Sequence, residues 1–189
     1  MIIGITGTNG AGKGTVVDYL VKQKGFTHFS VRKYIEEEIT RRGLPINRDN
    51  TNFVGNDMRQ KHGFYYWDEL IAGDMAKTKG PMVFESIRVL AAAKKFKEQG
   101  GILWGVDADR KTRYERSVMR GTQLDKISFE KFCEQEDREM HQTAEYDMNV
   151  FGVMQIADKV FLNNGTEEEL FAQVEAALRA VDNGLGTRG

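Results

Sequence analysis

Residues 2–23 read IIGITGTNGAGKGTVVDYLVKQ. An apolar run ends at Thr6, glycines stand at 7, 10, 12 and 14, and an amphipathic stretch follows Lys13. Strand, glycine-rich loop, lysine, hydroxyl and helix in that order are the pattern of a phosphate-binding loop. Glycine takes backbone conformations closed to other residues, so several N–H groups can converge on one phosphate. Lys13 adds a point charge and the helix adds the positive end of its dipole. Gly7, Thr8, Asn9, Gly10, Ala11, Gly12, Lys13, Gly14 and Thr15 are therefore the expected cradle for the phosphates of a nucleotide. Gly14 occupies the place where the common loop has a magnesium-binding Ser or Thr, and Thr15 is the next hydroxyl. No Asn-Lys-x-Asp occurs, so guanine is disfavoured.

Outward from this loop, apolar runs of five to seven residues alternate with longer stretches of helical period. That alternation predicts an α/β fold with a buried parallel sheet. The expected strands are 1–6, 27–30, 81–85, 101–107 and 159–163, a five-stranded sheet. The expected helices are 13–24, 32–42, 50–62, 64–77, 89–99, 110–120, 128–144 and 167–181. Two regions interrupt the alternation: an insert over about 31–78 and a lid over about 121–140. The reading is one domain, 1–182, with a flexible tail at 183–189.

Composition excludes several classes. Lys plus Arg number 27 against 28 Asp plus Glu, a net charge of -1, so no basic excess draws the chain to nucleic acid or anionic lipid. No apolar run reaches the length of a membrane span. Cys133 is the sole cysteine, which excludes an internal disulfide and a cysteine-built zinc site. With an N-terminus that lacks a basic leader, a cytoplasmic protein is expected, a monomer or homodimer. Cys133 reads as a small buried apolar residue, and His28, His62 and His141 receive no role.

Three further motifs carry charge or turn chemistry. The third strand ends in FESIR, residues 84–88. There Glu85 can hold magnesium-bound water or orient an acceptor, and Arg88 can grip a phosphate bidentately. After VDAD, residues 106–109, the stretch 110–120 carries five bases and one acid, with Arg113, Arg116 and Arg120 on one helical face. From Ser128 to Asp147 seven acids face two bases, so this helix can pair with the basic one and close a lid; Ser128 reads as its N-cap. Arg138 within it is either a phosphate clamp or a salt-bridge partner. Asn163, Asn164 and Gly165 form a turn before a helix capped by Thr166.

These motifs, in this order from residue 1 to about 181, resemble the P-loop nucleoside monophosphate kinases, especially their dephospho-CoA-kinase-like branch. The Lys-Gly-Thr ending of the loop resembles adenylate kinase. The resemblance implies a P-loop NTPase fold with an acceptor-binding insert and a lid, ATP as donor, and Mg2+ near Thr15 and Glu85 with much of its water retained. It implies that Arg113, Arg116 and Arg120 reach the transferred phosphoryl group, that Arg88 holds the acceptor phosphate, and that Asn163, Asn164 and Gly165 lie by the adenine. The Asn-Gly pair equally reads as a favourable turn alone.

On the acceptor side the match is partial. Ser30 fits, but Lys33 stands where the family has an Asp and Glu36 where it has a phosphate-binding Arg. Arg41, Arg48 or Arg59 can supply the missing charge, with Arg48 preferred. The aromatic run 64–67 is either a base platform or core. The expected activity is ATP-dependent phosphoryl transfer to a small nucleotide acceptor, a (deoxy)nucleoside monophosphate. The alternatives are a dephospho-CoA kinase and an ATP-hydrolysing switch without a small-molecule acceptor.

Overall fold

A computed structural model describes residues 1–63, 65–120, 128–140 and 149–184, without the side chains of Arg48, Asn52, Arg120, Arg138 and Glu139. Five strands, β1 (Ile2–Gly7), β2 (Thr27–Ser30), β3 (Met82–Glu85), β4 (Ile102–Asp107) and β5 (Lys159–Leu162), form one sheet in the order β2-β3-β1-β4-β5. Every pairing is parallel. β1 is buried along nearly its whole length, as a strand covered on both faces must be.

Helices α1 (Lys13–Lys24) and α9 (Glu167–Asp182) cover one face. Ile3, Ile5, Val16, Leu20, Trp104, Phe161, Leu170 and Val174 make the core there. Over the other face pack α5 (Leu90–Glu98) and the short α8 (Val150–Gln155), around Ile87, Ala93, Leu103 and Val153. Gly4 of β1 belongs to this face: a Cβ there would sit 2.7 Å from the Phe96 ring, so glycine lets Phe96 sink onto the sheet. The insert is three helices, α2 (Val31–Arg41), α3 (Arg48–His62) and α4 (Tyr66–Lys77). They share a small core of Ile35, Ile39, Val54, Met58 and Trp67, and the buried Trp67 indole donates to the Gly55 carbonyl at 3.2 Å. The basic α6 (Arg110–Arg120) and acidic α7 (Phe129–Met140) stand beside the phosphate loop.

The sheet and the order of elements match the sequence expectation, and boundaries move where caps decide them. α3 starts at Arg48 rather than 50 because the Asn47 side chain accepts from Asn50 N at 2.8 Å. α4 starts at Tyr66 rather than 64, and residue 64 lies outside the described residues. α8 was not expected: six residues are too few for a periodicity to register, yet Asn149 caps it by accepting from Gly152 N at 2.7 Å. The acidic helix is described from Phe129 to Met140, and the rest of its expected span, 141–144, lies outside the described residues with the others up to 148. The expected lid tip at 121–127 and tail residues 185–189 also lie outside them. Thr166 caps α9 with a full capping box, as its sequence predicts. No helix among the described residues is long and apolar enough to cross a membrane.

Candidate active site

β1 lies between β3 and β4, so the loops leaving the carboxyl ends of these three strands meet above the sheet centre, where open α/β sheets bind ligands. The loop from β1 holds Gly10 at φ 78° and Gly12 at φ 99°. Added Cβ atoms would strike the Arg113 backbone and the Asn163 side-chain amide, respectively. Glycine at both positions answers to conformation and to close approach. The Lys13 ammonium folds back over the loop and donates to the Gly7 and Thr8 carbonyls at 3.0 and 2.7 Å.

The loop is braced from β4 and β5. Thr8 is buried, and its hydroxyl donates to Asp107 Oδ1 at 2.6 Å; the same oxygen accepts from Ala108 N at 2.9 Å. Asn163 is buried and donates its side-chain amide to the Ala11 carbonyl at 2.8 Å, while its own carbonyl accepts from Arg116 Nη1 at 2.7 Å. Asn164 Oδ1 accepts from Asp109 N at 2.8 Å. Asn163 is thus spent on loop architecture, whereas Asn164 and Gly165 stay exposed.

β3 delivers the opposing charges. Glu85 is registered with Ile5 of β1 and Ser30 of β2. His28 Nε2 lies 3.0 Å from Glu85 Oε2. That hydrogen bond holds the Glu85 carboxyl below its ordinary value against the opposing effect of burial, and the Lys13 and Arg32 charges add to the lowering. Ser86 follows at φ 68°, the one non-glycine residue with positive φ among those described. A side chain in that region costs about 1–2 kcal/mol. The Ser86 and Ile87 N–H groups both donate to the Ile5 carbonyl, at 2.9 and 3.1 Å, and this fixes the turn. Arg88 then emerges beside the phosphate loop, with Nη2 donating to Asn9 Oδ1 at 3.2 Å.

α6 and α7 meet through a buried ion pair. The Arg113 and Glu136 side chains are 6% and 5% exposed, and two parallel contacts join them, the Nη2–Oε2 one at 2.9 Å. Arg113 Nε also donates to the Ala108 carbonyl at 2.7 Å. Burial pushes this guanidinium below its ordinary value, opposed first by the Asp107 charge. Arg110 reaches Glu136 at 2.9 Å and Asp137 at 2.6 Å. The two helices of opposite charge are paired, as their sequences predict.

A cleft of about 510 Å3 opens between the insert and β3 and includes Arg88 and Arg59 in its lining. Of the arginines considered for the acceptor side whose side chains are described, Arg59 lines this cleft. Arg41 engages Glu38 at 2.6 Å, and the side chains of Arg48, Arg120 and Arg138 lie outside the described residues. At the unusual insert positions Lys33 is exposed and Glu36 accepts from Arg32 at 2.7 Å. Cys133 is half-buried. For magnesium, the Thr15 hydroxyl and the Glu85 carboxylate are hard oxygen donors at the loop, and no cluster of three or more His, Cys, Asp or Glu occurs among the described residues. That donor set fits an ion held mainly by water and nucleotide phosphates.

Sequence reasoning overlooked His28, Asp107 and Glu136. Asp107 had a signal, a carboxylate at the end of a predicted strand; the other two acquire partners only through the fold.

A five-stranded parallel sheet with these loops at its carboxyl edge is the P-loop NTPase fold in a kinase-like arrangement. A family model described as an AAA domain (AAA_18) matches residues 3–144, and the chain belongs to that family. The UPF0200 protein TK1334 of Thermococcus kodakarensis is 30% identical over 182 residues, covering 93% of this chain and 95% of that protein. Among solved structures, TT1252 from Thermus thermophilus aligns with a TM-score of 0.59 and 23% identity, over 96% of this chain and 97% of the other. Shikimate kinase from Bacteroides thetaiotaomicron aligns at 0.62 and 14% identity, over 96% and 98%. These two likenesses are of fold.

Proposed function

We propose that this protein transfers the γ-phosphoryl group of ATP to a small acceptor held at Arg88. The observation that carries the reading is the approach of two anion-binding groups: the phosphate loop with Lys13, and Arg88, whose guanidinium lies 3.2 Å from the loop's Asn9. A donor phosphate in the loop and an anionic acceptor at Arg88 would face each other, and positioning plus charge neutralisation supply most of the catalysis in phosphoryl transfer. Lys13 and the loop amides bind the β and γ phosphates, and Arg116 stands half-buried at the rim to neutralise the charge in flight, whereas Arg113, expected to share that role, is buried against Glu136. Magnesium supplies charge compensation at the phosphates, with Thr15 and Glu85 as its protein-side oxygens. The motif order supports a phosphomonoester acceptor, with (deoxy)nucleoside monophosphates the first to screen. A second reading, an alcohol acceptor as in the dephospho-CoA-kinase branch, is favoured by the His28–Glu85 pair, which sets a histidine-bonded carboxylate at the strand end.

The test is ADP release with ATP and magnesium across monophosphates and dephospho-CoA, with mass detection of the product. Lys13→Ala should lower turnover at least a hundredfold; near-normal kcat in that variant sinks the assignment.

A further inference from the structure

The cleft beside Arg88 is much deeper than a phosphate requires. It runs between α4 and α5 over the face of β3 and β1, with Ile71, Ala72, Met75 and Ala76 on one wall, Ala92 and Phe96 on the other, and Ile2 and Phe84 below. Ser86 lines its mouth and Ile2, registered with Met82, its far end. The four residue steps from Met82 to Ser86 span about 13 Å at about 3.3 Å each. Alanine at 72, 76 and 92 keeps the two helices' facing sides open, and the missing Cβ of Gly4 leaves room for the Phe96 ring against β1.

Five charged residues line the cleft, with Tyr65 and Gln99 as further polar groups. Arg59, Arg88 and Lys95 oppose Asp68 and Glu69. Lys95 Nζ lies 5.4 Å from the centre of the Tyr65 ring, an arch from the start of α4 to α5. Burial pushes the Asp68 carboxyl up, with the Arg59 and Lys95 charges opposing, as expected at the edge of a low-dielectric wall. A volume of about 510 Å3 falls within the ordinary range for small-molecule sites.

Resting on the kinase reading, we propose that the acceptor is an anionic amphiphile: a phosphomonoester at Arg88 whose body is an apolar chain or ring system lying along the α4–α5 cleft. Along Ile71, Ala72, Met75, Ala76, Phe84, Ala92 and Phe96 the walls offer no polar side chain to a nucleoside's base and ribose, and burying their polar groups against that stretch costs affinity. Continuity with the phosphate loop through Arg88 assigns the cleft to the acceptor. In the step, an oxygen of the acceptor phosphate bonds to the γ phosphorus and the bond from that phosphorus to the β,γ-bridging oxygen breaks. The products are ADP and a diphosphate monoester.

The experiment compares octyl phosphate, below its micellar concentration, and 1-naphthyl phosphate with methyl phosphate and the nucleoside monophosphates. It measures kcat/KM by ADP release with mass detection of the product, and binding by calorimetry with a non-hydrolysable ATP analogue present. Octyl or naphthyl phosphate should exceed methyl phosphate and every nucleotide at least tenfold. Ala72→Phe, a change at an exposed position that fills the cleft, should raise their KM at least tenfold without altering ATP binding or thermal stability. Turnover of nucleotides but not of the apolar esters overturns the inference and leaves the kinase reading intact. ATP hydrolysis with no phosphorylated product overturns the kinase reading. Binding of octyl phosphate that Ala72→Phe abolishes would then keep the cleft as an amphiphile site, and absence of binding removes that too.

Discussion

Replacing Glu136 by Ala tests the coupling between α6 and α7 most directly. The carboxylate and Arg113 are both nearly excluded from solvent, at 5% and 6% side-chain exposure. Truncation leaves a buried guanidinium with the Ala108 carbonyl at 2.7 Å, the Asn9 carbonyl at 3.4 Å and Asp107 at 3.6 Å as acceptors. Breaking one side of a buried pair costs about 3–5 kcal/mol, and those acceptors put the expected value near the lower bound, about 3 kcal/mol. The lost Arg110 contact adds at most about 1 kcal/mol, because Arg110 is half-exposed and screened. For a chain of 189 residues, about 3 kcal/mol corresponds to a fall in Tm of roughly 6–12 °C. Urea unfolding of the parent, Glu136→Ala, Arg113→Met and the double Arg113→Met/Glu136→Leu variant completes the measurement. The double variant should recover most of the loss, since apolar replacement of both partners is often neutral. Glu136→Ala within about 0.5 kcal/mol of the parent, the range of an ordinary surface change, or a double variant that is merely additive, would refute the buried pair.

Gly12→Ala places a methyl against the Asn163 amide at a backbone φ of 99°. Conformation costs about 1–2 kcal/mol and the displaced Asn163–Ala11 hydrogen bond about 1 kcal/mol, so denaturation should show a loss of about 2–3 kcal/mol and nucleotide titration a weaker affinity. Asn163→Asp removes the donor to the Ala11 carbonyl and sets two acceptors face to face. It should cost at least about 1 kcal/mol and weaken ATP binding, and unchanged stability with unchanged affinity counts against the brace. Glu38 is held down to about 2, first by its hydrogen bond from Arg41, then by Arg42. Its folded value lies below its unfolded one, so its contribution is present above the ordinary carboxylate range and is lost as pH falls toward about 2. Glu38→Gln should therefore flatten the acid limb of the stability profile between about pH 5 and 2, and parallel profiles contradict the assignment.

The phosphate loop, the five strands, the charge signs of α6 and α7 and the Thr166 cap were legible in the chain, because each depends on residues within a few positions of one another. Backbone conformation at Gly12, the cap at Thr166 and the apolar run of β1 are set by such short-range interactions and by local composition. The pairing of particular side chains was not legible. Glu136 was one of seven acids in its stretch, and only the packing of α7 on α6 singles it out to face Arg113, 23 positions away. His28 meets Glu85 across 57 positions, and Thr8 meets Asp107 across 99, through strand register that no local pattern encodes. Asn163, read as a base contact or a plain turn, is spent on the phosphate loop because β5 carries it there. The cleft between α4 and α5 has no local signature either: it exists because small residues on the two helices that flank β3 in the chain face each other over Phe84, a separation that tertiary packing decides.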